Sequence, residues 1–77
     1  MFAPITIEEA SRDGFRTITT VDTAARVLTL RWPGKRGPAH EAALRACIAA
    51  MEGTGTEEAG REAFLAALRE GGVFVRE

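Results

Sequence analysis

The sequence predicts one small α+β domain over residues 1–77, with a two- or three-stranded antiparallel sheet and three helices packed on one face. Three observations predict this class. A chain of 77 residues can build a single hydrophobic core and no more. Apolar residues alternate near its beginning, which is typical of a β-hairpin. Three later segments repeat apolar residues at helical spacing, so the predicted order is β-β-α-α-α-β.

The first predicted strand covers residues 3–9. Ala3, Ile5 and Ile7 fall on one face and polar residues on the other, which indicates a strand buried on one side. Pro4 lies near its start. Because proline cannot donate a backbone hydrogen bond to a neighbouring strand, Pro4 favours an edge position.

The second predicted strand covers residues 15–21, after a turn at Ser11-Arg12-Asp13-Gly14. Its alternation is broken, because Ile18 is out of phase with Phe15. A bulge and a strand end near Thr19 would each explain the break. Residues 73–76 predict a short third strand, added at the edge of the hairpin.

Capping residues divide the middle of the chain into three helices. Asp22 is the expected N-cap of a helix through Arg31, which Pro33 ends. A second helix starts at Pro38 and runs to about Glu52, with Gly53 as its stop, and a third opens at Thr54 or Thr56 and ends at Gly71-Gly72. The predicted inner face of the first helix consists of Ala24, Ala25, Val27, Leu28 and Trp32. That of the second helix consists of His40, Leu44, Cys47, Ile48 and Met51. That of the third helix consists of Gly60, Phe64, Ala67 and Leu68.

Composition narrows the classes of function. Ten basic and eleven acidic residues give a net charge of -1, so the chain as a whole does not attract nucleic acid or an anionic membrane. No apolar run is long enough to span a membrane, and the first residues lack the features of a signal peptide. One cysteine allows no internal disulfide, which favours the cytoplasm. Arginine outnumbers lysine nine to one, which we interpret as a high-GC bacterial source.

The inventory of reactive side chains is small. His40 and Cys47 are the only soft metal ligands, and two ligands do not complete a zinc site. They lie ~10.5 Å apart along one helix, too far for a nucleophile and its base. Cys47 stands within an apolar stripe and is expected to be a buried structural thiol. We therefore expect no metal, no cofactor and no enzymatic activity.

One segment of the chain concentrates positive charge. The segment from Arg31 to His40 carries three positive charges and ends at the start of a helix, where free N–H groups at 39–41 favour an anion. Arg36 can close over such an anion, and Trp32 can stack on a base or hold a cation over its ring. The alternative is a solvated loop, with Trp32 covering the core and His40 capping the helix. The candidate binding residues are Arg31, Trp32, Lys35, Arg36, Gly37 and His40.

A family resemblance points to the same segment. The chain carries Trp32-Pro33, Arg36-Gly37-Pro38-Ala39-His40, Ala43, Cys47, Ala63-Phe64 and a closing Gly-Val-Phe-Val. In this pattern it resembles the bacterial domain-of-unknown-function family 982 over nearly its whole length. The resemblance implies a small cytoplasmic α+β domain with no assigned activity and no catalytic residues. Gly60 departs from the pattern and puts the straightness of the third helix in question.

Three functional hypotheses follow. The first is a small non-enzymatic binding or regulatory domain, with the loop Trp32–His40 as an anion or nucleic-acid contact. The second is a protein–protein interaction module acting as a homodimer, because a short final strand leaves a sheet edge for pairing. The third is a phospho-metabolite binder or enzyme using Arg36 and His40. No membrane role is expected.

Overall fold

The structure, a computed structural model, describes residues 1–8, 14–30, 32 and 34–76. Its elements are β1 (Ile5–Glu8), β2 (Phe15–Ile18), α1 (Val21–Leu30), α2 (Pro38–Glu52), α3 (Glu57–Gly71) and β3 (Val75–Arg76). The predicted α+β class and the order of the elements are confirmed.

The three strands form one antiparallel sheet in the order β2-β1-β3. β1 is therefore central, and the edge position predicted from Pro4 is wrong. Pro4 precedes Ile5, the first paired residue, so its missing N–H removes no hydrogen bond from the sheet. The predicted third strand does join the hairpin at an edge, where Val75 pairs with Ile7.

The second strand ends at Ile18, which confirms the alternative of an end near Thr19. Ile18 pairs with Ile5 and is fully buried, whereas Phe15 faces solvent. Ala3, which precedes the first paired residue, is exposed, contrary to the predicted alternation. Of the predicted turn, residues 11–13 lie outside the described part of the chain.

The core lies between the helices and the inner face of the sheet. Phe64 of α3 is its largest fully buried side chain, and the aliphatic side chains of β1, β2 and α1 surround the same volume. The buried apolar residues are Phe2, Ile5, Ile7, Ile18, Val21, Ala24, Ala25, Val27, Leu28, Ala43, Cys47, Phe64, Leu65, Ala67 and Leu68. They include the whole predicted inner face of α1 apart from Trp32, which packs against this core while half-buried.

Helix α2 approaches its neighbours through small residues. Its buried positions are His40, Ala43 and Cys47. A Cβ added at the buried Gly60 of α3 would lie 3.7 Å from the Cα of Cys47 and 2.9 Å from Cγ1 of Val21. This close approach explains the glycine in α3.

The predicted inner face of α2 is wrong at its C-terminal half. Ile48 is 40% exposed and Met51 is 46% exposed, while Leu44 is half-buried. The close contact through Ala43 and Cys47 turns the helix so that its larger apolar side chains lie beside the core.

Helix ends are capped largely as predicted. Pro38 opens α2 after Gly37, and the left-handed glycines Gly53 (φ 85°) and Gly72 (φ 71°) follow α2 and α3. Thr56 is the cap of α3, since its side chain accepts a hydrogen bond from the Ala59 N–H at 3.0 Å.

The cap of α1 is Thr20 rather than Asp22. The Thr20 Oγ1 accepts from the Thr23 N–H at 3.2 Å. The buried Val21 belongs to the helix, so the helix starts earlier than predicted and Asp22 lies in its first turn. There Asp22 pairs with Arg26 at 3.6 Å.

These contacts predict different costs for two neighbouring substitutions. Thr20→Ala removes the acceptor of an N-terminal N–H and should lower the free energy of unfolding by about 1 kcal/mol. Asp22→Ala removes an exposed i,i+4 ion pair and should cost only about 0.3–0.5 kcal/mol. Urea denaturation of both variants measures the difference, and an equal or larger loss for Asp22→Ala would contradict the assignment.

Candidate functional site

The candidate loop starts with an aromatic side chain that is turned toward the core. The Trp32 ring makes edge contacts with His40, at a centroid distance of 5.2 Å, and with Phe64, at 6.0 Å. Its indole N–H donates to the Lys35 carbonyl oxygen at 2.8 Å, which closes the loop on itself. Trp32 is half-buried, so one part of its surface remains accessible.

His40 lies inside the molecule and is only 8% exposed. Its Nε2 is 2.7 Å from the Leu28 carbonyl oxygen. A carbonyl can only accept, so Nε2 carries a hydrogen and donates it. Leu28 lies in the last turn of α1, where carbonyl groups lack partners within the helix. His40 therefore caps the C-terminus of α1 from the first turn of α2, and its Nε2 is not available to a ligand.

The basic side chains described in the loop are at the surface. Lys35 and Arg36 are exposed, and the Arg36 Nη2 donates to the Thr29 carbonyl oxygen at 3.4 Å. Arg31 lies outside the described residues. Two of the three predicted positive charges therefore stand at the surface beside the start of α2.

The N-terminus of α2 already holds an anion. The Ala39 N–H donates to Oε1 of Glu70 at 3.0 Å, and the Glu41 N–H donates to the Gly37 carbonyl oxygen. Gly37 leaves room for this carboxylate, because a Cβ there would lie 2.6 Å from the same Oε1. The carboxylate of Glu70 thus takes the place where the sequence predicts a bound anion.

Sequence reasoning missed Glu70 because it lies in the last turn of α3, far along the chain from Ala39. One signal was available. A carboxylate near a helix C-terminus is unfavourable for the helix dipole, so it indicates a partner elsewhere in the fold.

Cys47 is fully buried, as predicted, with its Sγ 3.9 Å from the Gly60 carbonyl oxygen. Burial raises the pKa of Cys47 from 9.0 to about 11. The thiol is therefore protonated at neutral pH and lacks the nucleophilic form. Among the described residues, no three His, Cys, Asp or Glu side chains are placed to hold a metal ion, and no helix is long and apolar enough to cross a membrane.

A second surface, which the sequence analysis missed, lies on the outer face of the sheet. Phe15 is paired with Glu8, and the Glu8 N–H donates to the Phe74 carbonyl oxygen at 3.2 Å. Phe15 of β2, Glu8 of β1 and Phe74, the residue before β3, form a row across the sheet, here called the outer row. Phe15 is 50% exposed and Phe74 is 58% exposed. Beside the row, the hydroxyls of Thr6 and Thr17 lie 3.2 Å apart.

The broken alternation of the second strand was the available signal. Phe15 and Ile18 lie on opposite faces of β2, and only one of them can enter the core. The buried residue is Ile18. The position of Phe74 beside Glu8 depends on the pairing of β3 with β1, which sequence spacing alone does not give.

The contact between Glu70 and α2 predicts a stability effect. Glu70→Ala leaves the Ala39 N–H without its acceptor and should lower the free energy of unfolding by about 1 kcal/mol. Glu62→Ala is the matched control, because Glu62 is an exposed carboxylate in the interior of the same helix. Equal urea midpoints for the two variants would contradict a capping role for Glu70.

The buried thiol predicts a pH effect with a defined sign. The pKa of Cys47 is higher in the folded chain than in the unfolded chain. The resulting contribution to the free energy of unfolding is fully present below pH 9.0 and is lost as the pH rises toward about 11. The urea midpoint of the wild type should therefore fall over this interval more than that of Cys47→Ala. A thiol reagent at pH 8 should label the folded chain far more slowly than the unfolded chain. Identical pH profiles or rapid labelling of the folded chain would contradict the assignment.

Comparison with known proteins agrees with the resemblance found in the sequence. Neither curated proteins nor solved structures give a match. Residues 3–75, which include the loop, β1, β2 and the first residue of β3, match the family model described as "Protein of unknown function (DUF982)", and the chain belongs to this family.

Proposed function

We propose that this domain is a non-catalytic protein-binding module of the bacterial cytoplasm and that it binds its partner through the outer row. The observation that carries the proposal is the alignment of Phe15, Glu8 and Phe74 across the sheet, with both aromatic rings at least half exposed. The composition and the protonated, buried thiol of Cys47 support a non-catalytic role and a cytoplasmic location.

The two rings supply the apolar part of the binding energy. Adjacent strands lie ~4.8 Å apart, so the two phenylalanines are separated by roughly 10 Å across β1. Covering the exposed half of one ring removes on the order of 100 Å² from water, which contributes about 2.5 kcal/mol. Two such rings at this separation fit two apolar side chains of one partner segment.

The carboxylate between the rings selects the partner. Glu8 is exposed, and it lies between the apolar residues Phe15 and Phe74 in the outer row. A partner with a lysine or arginine between two apolar residues matches both features. The phosphates of a nucleic acid are repelled by the same carboxylate. Two copies stacked face to face on a twofold axis at Glu8 would bring their Glu8 side chains together, which disfavours this mode of self-association.

The exposure of Lys35 and Arg36 favours a second candidate function, an anion or nucleic-acid contact at the loop. Short single-stranded DNA or RNA added at low salt should then shift the amide NMR signals of residues 34–41, and the affinity should fall steeply as salt is raised. Unchanged signals would remove this candidate. A role for His40 in binding a phospho-metabolite receives less support, because its Nε2 donates to Leu28.

The main proposal predicts the peptides that the domain selects. From a phage-displayed library of random dodecapeptides, the wild type should enrich sequences with Lys or Arg between two apolar residues. The double substitution Phe15→Ser, Phe74→Ser should weaken binding of the enriched peptides by about tenfold or more, since it removes the apolar contact. Glu8→Lys should turn the preference toward acidic peptides.

Leu30→Ser is the matched control, because it makes the same kind of change at an exposed residue of α1. This variant should bind the enriched peptides like the wild type. Circular dichroism of all variants checks that the fold is retained. Peptides that bind the double variant as tightly as the wild type, or a library that yields no enrichment, would overturn the proposal.

A further inference from the structure

Helix α2 leaves an apolar stripe at its surface. The stripe consists of Leu44, Ile48 and Met51, whose spacing of four and three residues places them along one side of the helix. Ile48 and Met51 are 40% and 46% exposed, and Leu44 is half-buried. Met51 lies in the last turn of α2, so the stripe follows the helix to its end.

Charged residues border the stripe on its solvent side. Glu41 and Arg45 are both exposed, and the Arg45 Nη2 is 2.9 Å from Oε1 of Glu41. Glu52 is also exposed, and it follows Arg45 by seven residues, two turns along the same side of the helix. The border therefore carries the Glu41–Arg45 pair before the centre of the stripe, with Arg45 nearer to the centre, and the acidic Glu52 after it.

We propose that the α2 stripe binds the same stripe of a second copy, with the two helices antiparallel and a twofold axis at Ile48. In this arrangement Ile48 meets Ile48 of the second copy, and Leu44 meets Met51 of the second copy. Arg45 then faces Glu52 of the second copy, and the symmetry makes this ion pair twice. In each of the three pairs, the midpoint between the two residue numbers lies at or next to 48. One twofold axis at Ile48 therefore brings all three pairs into contact.

The positions of the charged side chains favour this arrangement over the other ways of pairing two copies. A parallel twofold pair of helices would place the two charged borders on opposite sides of the interface, where Arg45 cannot reach Glu52 of the second copy. A face-to-face pair of sheets on a twofold axis at Glu8 would bring two Glu8 carboxylates together. The antiparallel pair on α2 alone joins apolar to apolar and opposite charge to opposite charge.

The α2 dimer is independent of the proposed partner site. The outer row lies on the sheet, and the stripe lies on a helix, so each can be tested without the other. We expect one helix face to bury less than ~1,200 Å², the lower end of standard interfaces. The dimer is therefore weak and reversible and depends on protein concentration.

Sedimentation equilibrium of the full chain over about a hundredfold range of concentration tests the inference. The average mass of the wild type should rise from that of a monomer toward that of a dimer. Ile48→Glu places two carboxylates at the axis and should remain a monomer throughout. Leu30→Glu is the matched control, and it should associate like the wild type because Leu30 is exposed on α1.

A charge exchange tests the direction of the helices. Arg45→Glu should weaken association at least several-fold, and adding Glu52→Arg to it should restore association. Both positions are exposed, so the variants are expected to keep the fold, which circular dichroism verifies. A wild-type mass that stays monomeric, an Ile48→Glu variant that dimerises, or an exchange variant that is not restored would each overturn the inference. Loss of the dimer in Phe74→Ser but not in Ile48→Glu would place the interface on the sheet instead.

Discussion

The junction between α1 and α2 is the constraint on which the rest of the fold depends. Helix α1 has no basic residue in its last turn, and its final carbonyl groups need donors. His40 donates to the Leu28 carbonyl, and Arg36 donates to the Thr29 carbonyl, both from residues at or before the first turn of α2. These bonds place α2 across the end of α1. Cys47 is then brought against Gly60 of α3, and the core closes around Phe64.

The same junction explains why Trp32 and His40 of the most distinctive sequence segment are bonded within the molecule, while Lys35 and Arg36 are exposed. Aromatic, basic and glycine residues in one short loop are typical of a ligand site, and here several of their polar groups bind neighbouring parts of the chain. Glu70 of α3 accepts a hydrogen bond from the Ala39 N–H and so caps the N-terminus of α2. The exposed apolar side chains on which the two proposals rest lie on the outer face of the sheet and along α2. A loop rich in chemically useful residues can thus serve chiefly to join helices.

The features that sequence predicted are those set by neighbours along the chain. Pro38, Gly53 and Thr56 mark helix ends because the backbone alone determines which residue fits there. One error is local, since Thr20 caps α1 two residues before the predicted Asp22, and the larger errors involve partners distant in sequence. Strand order decides that β1 is central despite Pro4, and the rotation of α2 decides that Met51 faces solvent. The missed residues Glu70 and Phe74 acquire their positions only from tertiary contacts, which local spacing does not encode.

Strand β3 is held in the sheet by the shortest pairing of the three strands. It pairs with β1 over two residues only, and this pairing joins segments near opposite ends of the described chain. So few hydrogen bonds closing so long a loop make β3 the element that opens at the lowest cost in free energy. When it opens, Phe74 leaves Glu8. A ligand that needs both therefore selects the closed population, and its apparent affinity is reduced by the closed fraction. Bound ligand in turn should slow amide hydrogen exchange along β1, which couples recognition at the surface to local unfolding of the sheet.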